Sequence, residues 1–267
     1  MVIPLIFTTF RCLNFGVHYK FTTTYAYASD GNVIGLPDDV TSLDQSSNKV
    51  NKTRYYYDTL ALGSVSKGNL TKQEDWKTGT TYINSQKAYD GTYGLVTIAT
   101  YPRSKTTQYS YDTYNLYPAT ITNPLIQATQ YTYDYSSGQV KQITDPNTRV
   151  FKNIYDGLDR LIEQYQPDLI TPSTLVTKVA YTYIDTSGSV SVKQSSYLDS
   201  SNTADSYTYY DGLGRKIQER KEGEGTNFAA KDYAYNSLGL LQRESFPYFS
   251  TGLSKTSATS DNTLYTK

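Results

Sequence analysis

The sequence predicts an all-β protein built from tandem antiparallel hairpins. Tyrosine supplies 29 of the 267 residues, too large a share of the 37% hydrophobic fraction for an ordinary close-packed core. A Tyr-x-Tyr-Asp motif recurs along most of the chain, and no long segment shows the apolar spacing of an amphipathic helix. Because aromatic and β-branched residues are typical of pleated sheets, these observations together favour strands.

The motif occurs in eight copies, each with Asp or Asn at or near its end. Asp90, Asp112, Asp134 and Asp156 follow one another at intervals of 22 residues, and the outer intervals are longer. A spacing this regular indicates a structural repeat, in which each copy packs against its neighbours. The copies are Tyr55–Asp58, Ala88–Gly91, Tyr109–Asp112, Tyr131–Asp134, Asn153–Asp156, Tyr181–Asp185, Tyr207–Asp211 and Tyr233–Asn236.

Each copy is expected to form one hairpin. Alternation of Tyr with residues such as Thr places both rings on one face of a strand, and Asp or Asn near Gly supplies the turn. A second strand follows, as in Arg160–Gln166 and Arg215–Lys221. Proline has no N–H to donate, so a proline 11 or 12 residues after the turn residue is expected to end that strand. Five prolines have this place: Pro102, Pro124, Pro146, Pro167 and Pro247.

The extent of the repeat divides the chain into three regions. They are an atypical N-terminal segment (residues 1–54), the repeat region (55–249) and a Ser/Thr-rich tail (250–267) that is expected to have little to pack against. Within the repeat region, Ser64–Gln86 and Ile170–Leu175 are interpreted as inserted loops. The single tryptophan, Trp76, lies in the first of them.

The first 17 residues contain an apolar stretch but lack the basic start and small-residue cleavage site of a signal peptide. The stretch is also shorter than the roughly 20 residues that a transmembrane helix needs, so membrane insertion is not predicted. Two interpretations stay open. Residues 1–18 are native to the repeat protein, or they are a truncated or out-of-frame start.

Charge and cysteine content exclude several classes of function. The 25 basic and 25 acidic residues balance, whereas nucleic-acid binders rely on a basic excess, so nucleic acid is not expected as a partner. Cys12 and His18 are the only residues of their types, so a disulfide or a zinc site lacks partners, and a Cys–His nucleophile pair is not expected. No metal and no cofactor are predicted.

The segment Tyr210–Arg215 reads YDGLGR, which resembles the YD repeat of RHS proteins, whose hallmark is Tyr-Asp-x-x-Gly-Arg. The resemblance extends from about Tyr55 to Tyr248, and its specificity comes from the repetition. Most copies depart from the hallmark: Asp159 stands in place of its Gly, and Asn236 in place of its Asp.

Two further segments, Gly35–Thr41 (GLPDDVT) and Ser245–Phe249 (SFPYF), resemble parts of the B-type subunits of bacterial toxin complexes and related virulence proteins. The resemblance implies a curved, spiralling antiparallel sheet that forms part of a hollow shell, within which the family encloses a toxic C-terminal domain before delivery. That shell is usually closed by a segment with self-cleaving carboxylates. The sequence stops soon after the second segment, so no protease residues and no toxin activity are assigned to it.

The repeated carboxylates are the one candidate for acid–base chemistry, since a glycosidase needs two neighbouring carboxyl groups. A catalytic pair occurs once, in one cleft, whereas these residues recur at turns, where their side chains can accept backbone N–H groups. We therefore predict a structural role and no enzyme activity, and we assign no catalytic, cofactor-binding or metal-binding residue. The turn residues are Asp58, Asp90, Asp112, Asp134, Asp156 and Asp211.

Two functions follow from these observations. The first is a non-catalytic segment of an RHS-type shell that encloses or presents a toxin or effector, within a larger secreted or surface-exposed bacterial protein. Its partners are then the remainder of the shell and the enclosed effector or the toxin-complex subunits. The alternative is an adhesion module that binds cell-surface glycans or a receptor through its tyrosine rings. In either case the first and last copies, at Tyr55 and Tyr233, are expected to expose strand edges that promote association.

Overall fold

The computed structural model describes residues 20–26, 33, 35–44, 46–186, 189–252, 254–255 and 263–266. The regular structure of these residues is antiparallel β-sheet, and their only helical segment is a single 3-10 turn at Pro102–Ser104. The predicted all-β fold of tandem hairpins is therefore confirmed. The chain forms two compact units, residues 1–130 and 131–267.

The first unit is a run of hairpins, in which each described strand pairs with the next one along the chain. Its last strand continues into the first residues of the second unit. The strands are β1 (Lys20–Ala26), β2 (Leu36–Leu43), β3 (Lys49–Tyr57), β4 (Leu70–Thr78), β5 (Thr81–Tyr89), β6 (Val96–Tyr101), β7 (Lys105–Tyr111), β8 (Pro118–Thr122) and β9 (Ala128–Tyr133).

The second unit has the same order of pairing from β10 to β18. Near its end β19 pairs with the first half of β17, and β20 pairs with β18. The strands are β10 (Val140–Thr144), β11 (Val150–Tyr155), β12 (Leu161–Pro167), β13 (Leu175–Thr186), β14 (Ser189–Tyr197), β15 (Thr203–Tyr210), β16 (Lys216–Glu222), β17 (Asn227–Tyr235), β18 (Leu241–Ser245), β19 (Tyr248–Thr251) and β20 (Thr263–Thr266).

Because neighbouring strands are antiparallel, the turns of each unit alternate between two edges of the sheet. The edge with the repeated Tyr-Asp turns is called the YD edge here, and the opposite one the counter edge. The prolines lie at strand ends as expected. Pro124 and Pro146 occupy counter-edge turns, and Pro167 is the last residue of β12.

A β-bulge follows the YD turn in six hairpins. The strand that leads into the turn and the strand that leaves it are out of register by one residue, and the extra residue is the second one of the leaving strand. A bulge increases the local twist and bends the strand that contains it, so the YD edge differs in shape from a flat ladder. The extra residues are Thr71, Thr97, Ala119, Ile162, Ile217 and Gln242.

Each unit contains one small cluster of contacting buried hydrophobic side chains. In the first unit Tyr57 and Val65 are buried, and Leu36 and Leu70 pack against them. In the second unit the buried rings are those of Tyr207, Tyr209 and Phe228. The rings of Tyr207 and Phe228 meet edge to face, with their centroids 5.9 Å apart. Each cluster is too small to be the core of a globular domain.

Two polar side chains of β16 in the second unit, Gln218 and Arg220, are fully buried, and the guanidinium of Arg220 lies 5.3 Å from the ring centroid of Phe228. The guanidinium of Arg220 donates hydrogen bonds to the carbonyl oxygens of Thr251, at 3.2 Å, and of Ser254. Gln218 Nε2 donates to Asp232 Oδ1 at 2.6 Å. Arg220 therefore ties β16 to the backbone at the end of β19 and just after it.

Between residues 101 and 166 no side chain is buried. The side chains of these hairpins therefore all keep some contact with solvent. Their stability must come from the backbone ladder, the turns and contacts within each face.

Two sequence-based predictions about the loops are corrected by the structure. Most of Ser64–Gln86, interpreted as an inserted loop, forms the hairpin of β4 and β5. Trp76 lies within β4, where its Nε1 donates to the carbonyl oxygen of Gly79 at 2.9 Å. This hairpin carries no Tyr-Asp signature at its turn, which is why the repeat pattern missed it.

The flanking regions also differ from expectation. The copy at Tyr55 is not at a free edge, because β3 pairs with β2 as well as with β4. The copy at Tyr233 is likewise paired on both sides, by β16 and by β18 and β19. The described part of the tail is not without contacts, since β20 pairs with β18. The division at residues 54 and 249 stays a prediction.

Candidate functional site

The turn at Asp211 shows how the repeated motif is built. The N–H of Asp211 donates to the carbonyl oxygen of Arg215 at 2.9 Å and closes the turn. Its Oδ1 accepts the N–H groups of Leu213 and Arg215, both at 2.9 Å, and its Oδ2 accepts Arg215 Nε at 2.8 Å. Gly214 has a φ of +74°, in the left-handed region that glycine enters without strain. YDGLGR is therefore a self-contained hydrogen-bonded turn.

The same acceptor recurs along the YD edge, as predicted for these turn residues. At Asp156 the turn has the same length, and Arg160 Nε donates to the carboxylate at 2.8 Å. Asp159 takes the place of the glycine with a φ of +60°. In each turn of the set the side chain accepts the N–H two residues further on; the set is Asp90, Asp112, Asp134, Asp156, Asp211 and Asn236.

Part of the counter edge is built in the same way, which the sequence interpretation missed. Five of its turns also begin with an Asp or Asn whose side chain accepts the N–H two residues on, whereas the turns after β4, β6 and β16 do not. A signal was present, because Asn123, Asp145 and Asp168 lie about as far apart as the YD residues and two of them precede proline. The counter-edge residues are Asp44, Asn123, Asp145, Asp168 and Asp199.

Asp58 begins the longest YD turn. Its Oδ2 accepts the N–H groups of Ser66, Lys67 and Gly68 at 2.8, 2.7 and 2.9 Å, and its Oδ1 accepts that of Asn69 at 2.9 Å. Burial alone raises the pKa of this carboxyl, but the four backbone donors outweigh it and lower the pKa below its ordinary value. A single carboxylate thus fixes the ten-residue loop between Asp58 and Asn69.

Hydrogen bonding also lowers the pKa of the carboxyl groups in the shorter turns. The side-chain and backbone donors of Arg215 lower the pKa of Asp211, and the backbone N–H of Arg160 is the main cause for Asp156. A general acid needs a pKa raised toward the working pH, which is the opposite shift. These groups are arranged to remain ionised acceptors, and that chemistry suits turn closure.

In six places a tyrosine hydroxyl fastens a strand to the one before it. The tyrosine lies at or near the end of the strand that enters the turn, and it donates its O–H to a backbone carbonyl near the start of the neighbouring strand, at 2.8–3.0 Å. Where both strands adjoin YD turns, as for Tyr89, Tyr111, Tyr155 and Tyr235, the bond ties two consecutive turns together. The pairs are Tyr57–Pro37, Tyr89–Leu70, Tyr111–Val96, Tyr155–Val140, Tyr183–Leu161 and Tyr235–Lys216.

The turn arginines add a second link to the following hairpin. The guanidinium of Arg215 lies 4.6 Å from the ring centroid of Tyr235, and that of Arg160 lies 4.2 Å from the ring centroid of Tyr183. Each arginine therefore contacts its own Asp and the ring of the next copy. The Tyr, Asp and Arg of the motif act as one network along the YD edge.

The first unit also contains an open cleft of about 930 Å³ next to the YD turns of Asp58 and Asp90. Tyr56 and Gln86 are among its lining residues. Lys72 Nζ lies 3.9 Å from the ring centroid of Tyr56, whose hydroxyl donates to Glu74 at 2.8 Å. One ring face that a sugar could stack on is thus occupied by a lysine.

Three further sequence-based expectations concern the single cysteine and histidine, metal binding and membrane insertion. Cys12 and His18 lie outside the described residues. Within the described part of the chain, no group of three or more His, Cys, Asp and Glu residues is placed to hold a metal ion. No described helix is long and apolar enough to cross a membrane.

Comparison with known proteins gives a likeness of structure only. No protein-family profile and no curated protein sequence matches the chain. The crystal structure of TcdB2-TccC3 matches 87% of the chain with a TM-score of 0.69 at 11% identity, and that of TcdB2-TccC3-Cdc42 matches 87% with a TM-score of 0.69 at 10% identity. TcdB2-TccC3 without its hypervariable C-terminal region matches 88%, with a TM-score of 0.54 at 13% identity. The chain covers 18%, 20% and 14% of these structures respectively.

Proposed function

We propose that the chain is a non-catalytic wall segment of an RHS-type shell that encloses or presents a toxin or effector. The observation that carries the proposal is the network of the YD edge, in which the Tyr-Asp turns close on themselves and tyrosine hydroxyls fasten several of them to the turn before. Such a network extends a sheet hairpin by hairpin, as a wall requires, and it uses the repeated carboxylates for structure.

The likeness of fold to TcdB2-TccC3 supports this proposal in a coarse way. One of the matched proteins is described with a hypervariable C-terminal region, which is consistent with a variable effector that accompanies the repeats. The partners proposed for this chain are further repeats of the same kind and an enclosed effector or toxin-complex subunits. Export to the cell surface or medium belongs to the same proposal.

The adhesion alternative draws on the open cleft beside Asp58 and Asp90. Its tyrosine is less suitable for sugar stacking than the sequence suggested, because Lys72 covers one face of the Tyr56 ring. Binding of the chain to a glycan array, abolished by Tyr56→Ala and unchanged by Tyr131→Ala, is the result that would favour adhesion over the wall.

The wall proposal is tested on the whole product of the natural reading frame, including any segments that flank this chain. Limited proteolysis of that product is expected to spare a polypeptide segment other than the repeats. Phe228→Ala, which opens the buried cluster, is expected to make that segment cleavable, whereas the exposed substitution Leu158→Ser leaves it protected. If no segment is protected in the unmodified protein, or if protection survives Phe228→Ala after the sheet has been shown to open, the wall proposal is wrong.

A further inference from the structure

An open cleft of about 580 Å³ lies at the counter edge of the first unit, lined by residues of β4, β5 and β6 and of the turn that follows β6. Its volume is within the range of small-molecule sites. It is distinct from the cleft beside Asp58 and Asp90, although Gln86 and Thr100 line both. The lining includes Lys77, Tyr82, Asn84, Gln86, Arg103 and Ser104.

The charge of this cleft is one-sided. Lys77 and Arg103 are exposed, and neither forms an ion pair with a residue that the structure describes. No Asp or Glu is found among the described residues that line the cleft. Elsewhere in the chain cations meet carboxylates, as in the pairs Lys52–Asp39 and Arg160–Asp156. Two unpaired cations on one cleft therefore favour an anionic ligand.

A β-bulge places Lys77 at the cleft. Trp76 pairs with Tyr82 and Thr78 pairs with Thr81, so Lys77 is an extra residue of β4. In a regular strand Lys77 would lie on the opposite face from Trp76 and Tyr82, whereas it lines the same cleft as Tyr82. Bulges are typical of places where a side chain is redirected toward a site.

The turn that contains Arg103 has a strained backbone. Arg103 and Ser104 have φ values of +68° and +57°, so two successive non-glycine residues are in the left-handed region. In the other counter-edge turns that the structure describes, at most one non-glycine residue is left-handed, as at Ile126 and Thr148. Glycine would adopt this conformation without strain. Strain that persists where glycine would relieve it is typical of functional positions, so we expect Arg103 to be kept for its side chain.

Neutral hydrogen-bonding groups lie beside the two cations. Tyr82, Asn84 and Gln86 alternate along β5 and therefore share one face of the sheet. The amide groups of Asn84 and Gln86 are exposed and form no side-chain hydrogen bond within the described part of the chain. Each amide offers both donors and an acceptor. A simple anion only accepts hydrogen bonds and leaves the amide oxygens unused, whereas the hydroxyls of a sugar can donate to them.

We propose that this cleft binds an acidic saccharide. Lys77 and Arg103 hold the carboxylate of the sugar, and the amides of Asn84 and Gln86 exchange hydrogen bonds with its hydroxyls. The amides and cations lie on the same cleft, so one ligand can engage both.

A single-stranded nucleic acid is the less suitable occupant. It needs a row of cations for its phosphates and free rings for its bases. The one ring on the described face of β5 at this cleft is that of Tyr82, and the guanidinium of Arg54 already lies 4.5 Å from its centroid.

Titration of the full chain with acidic saccharides, followed through its backbone amide signals by NMR, tests the proposal. The probes are trigalacturonic acid, a hyaluronan tetrasaccharide and sialyllactose, each beside its methyl ester, which keeps the hydroxyls but removes the charge. At least one acid is expected to bind and to shift the signals of β5 and of residues 102–104. Its ester is expected to bind about tenfold more weakly, and added salt is expected to weaken binding of the acid.

Substitutions separate the cleft from its surroundings. Lys77→Gln and Arg103→Gln are each expected to weaken binding of the acid about tenfold, and Arg103→Lys to weaken it less. Lys105→Gln, which removes a charge next to the same turn but outside the cleft lining, is expected to bind as the parent does. Tyr56→Ala, in the other cleft, is also expected to leave binding unchanged. Arg103→Gly is expected to lose binding and to raise the melting temperature, because it relieves the left-handed backbone.

Five results would overturn the proposal. They are no binding of any of the three acids, equal binding of the esters, and competition by acetate or by an oligoglutamate at the same concentration, which would indicate a simple anion site or a peptide site. The other two are unchanged binding in both Gln variants and a lower melting temperature in Arg103→Gly. Because the isolated chain is used and Tyr56→Ala reports on the other cleft, these outcomes do not depend on what the proposed wall encloses.

Discussion

The hairpins between residues 101 and 166 and those between residues 203 and 235 share one turn network but differ in burial. In both, an Asp closes each YD turn and a tyrosine hydroxyl reaches the neighbouring strand. Only the second region has fully covered side chains, among them Gln218 and Arg220. The repeat specifies the sheet and its turns in both regions, whereas burial in the second region depends on rings that pack on each other and on the contacts of Arg220 with the backbone at and just after the end of β19.

Removing a ring from the covered region is expected to have the largest effect. Phe228→Ala deletes a buried ring and its edge-to-face contact with Tyr207, which is expected to lower the free energy of unfolding by about 3 kcal/mol. Tyr131→Ala, in the uncovered region, removes a ring that stacks on Tyr133 in partial contact with solvent, and a loss below about 1 kcal/mol is expected. Urea unfolding of the two variants measures both values, and equal losses would refute the comparison.

Arg220 tests how much its contacts with the backbone at and just after the end of β19 stabilise the second region. Arg220→Met keeps much of the volume but removes the hydrogen bonds to Thr251 and Ser254, and a loss of about 2 kcal/mol is expected. Amide exchange is expected to accelerate in β16 and β17 and to stay unchanged in β11 and β12. Arg243→Met, at an exposed position of β18, is the control and is expected to change stability by less than about 0.5 kcal/mol. Unchanged amide exchange in Arg220→Met would mean that the hydrogen bonds of Arg220 do not stabilise β16 and β17.

Asp58 tests how much the carboxylate of a YD turn contributes to stability. Its pKa is lowered in the folded chain, so its contribution to stability is complete above the ordinary value of 3.8 and is lost as the pH falls through the lower folded value. Asp58→Asn is expected to cost about 1–2 kcal/mol at neutral pH. Urea midpoints measured from pH 6 down to pH 2.5 are expected to converge for the parent and the variant. A constant difference across this range would contradict the role of the ionised carboxylate.

The smallest expected effect compares two equivalent turn positions. Asp159, with a φ of +60°, occupies the place that Gly214, with a φ of +74°, has in the YDGLGR turn. Asp159→Gly is expected to raise the free energy of unfolding by about 0.5 kcal/mol, and Gly214→Asp to lower it by about 1 kcal/mol. Melting temperatures of the two variants should therefore move in opposite directions. A shift in the same direction would show that side-chain contacts, not backbone conformation, decide these positions.

The repeat made the strands, the YD turns and the acceptor role of their Asp residues predictable, because these depend on residues close together in sequence. The bulge at Thr71 and the bond from Tyr89 to Leu70 were not predictable, since both depend on the register between strands. The hydrogen bonds of Arg220 were missed for a related reason. Its partners lie more than 30 residues further along the chain, in a tail whose Ser/Thr-rich composition indicated little packing.

The tyrosine bond has a consequence for how such a chain can change over evolution. Its acceptor is a backbone carbonyl, a group that every residue has, so the preceding strand need not carry any particular side chain. A hairpin that ends in tyrosine can therefore follow any other hairpin of the ribbon. Duplication, loss or exchange of whole copies leaves the tyrosine hydrogen bond intact, and that bond needs no compensating substitution on the other side. Length and side-chain content can then vary widely while the architecture is kept.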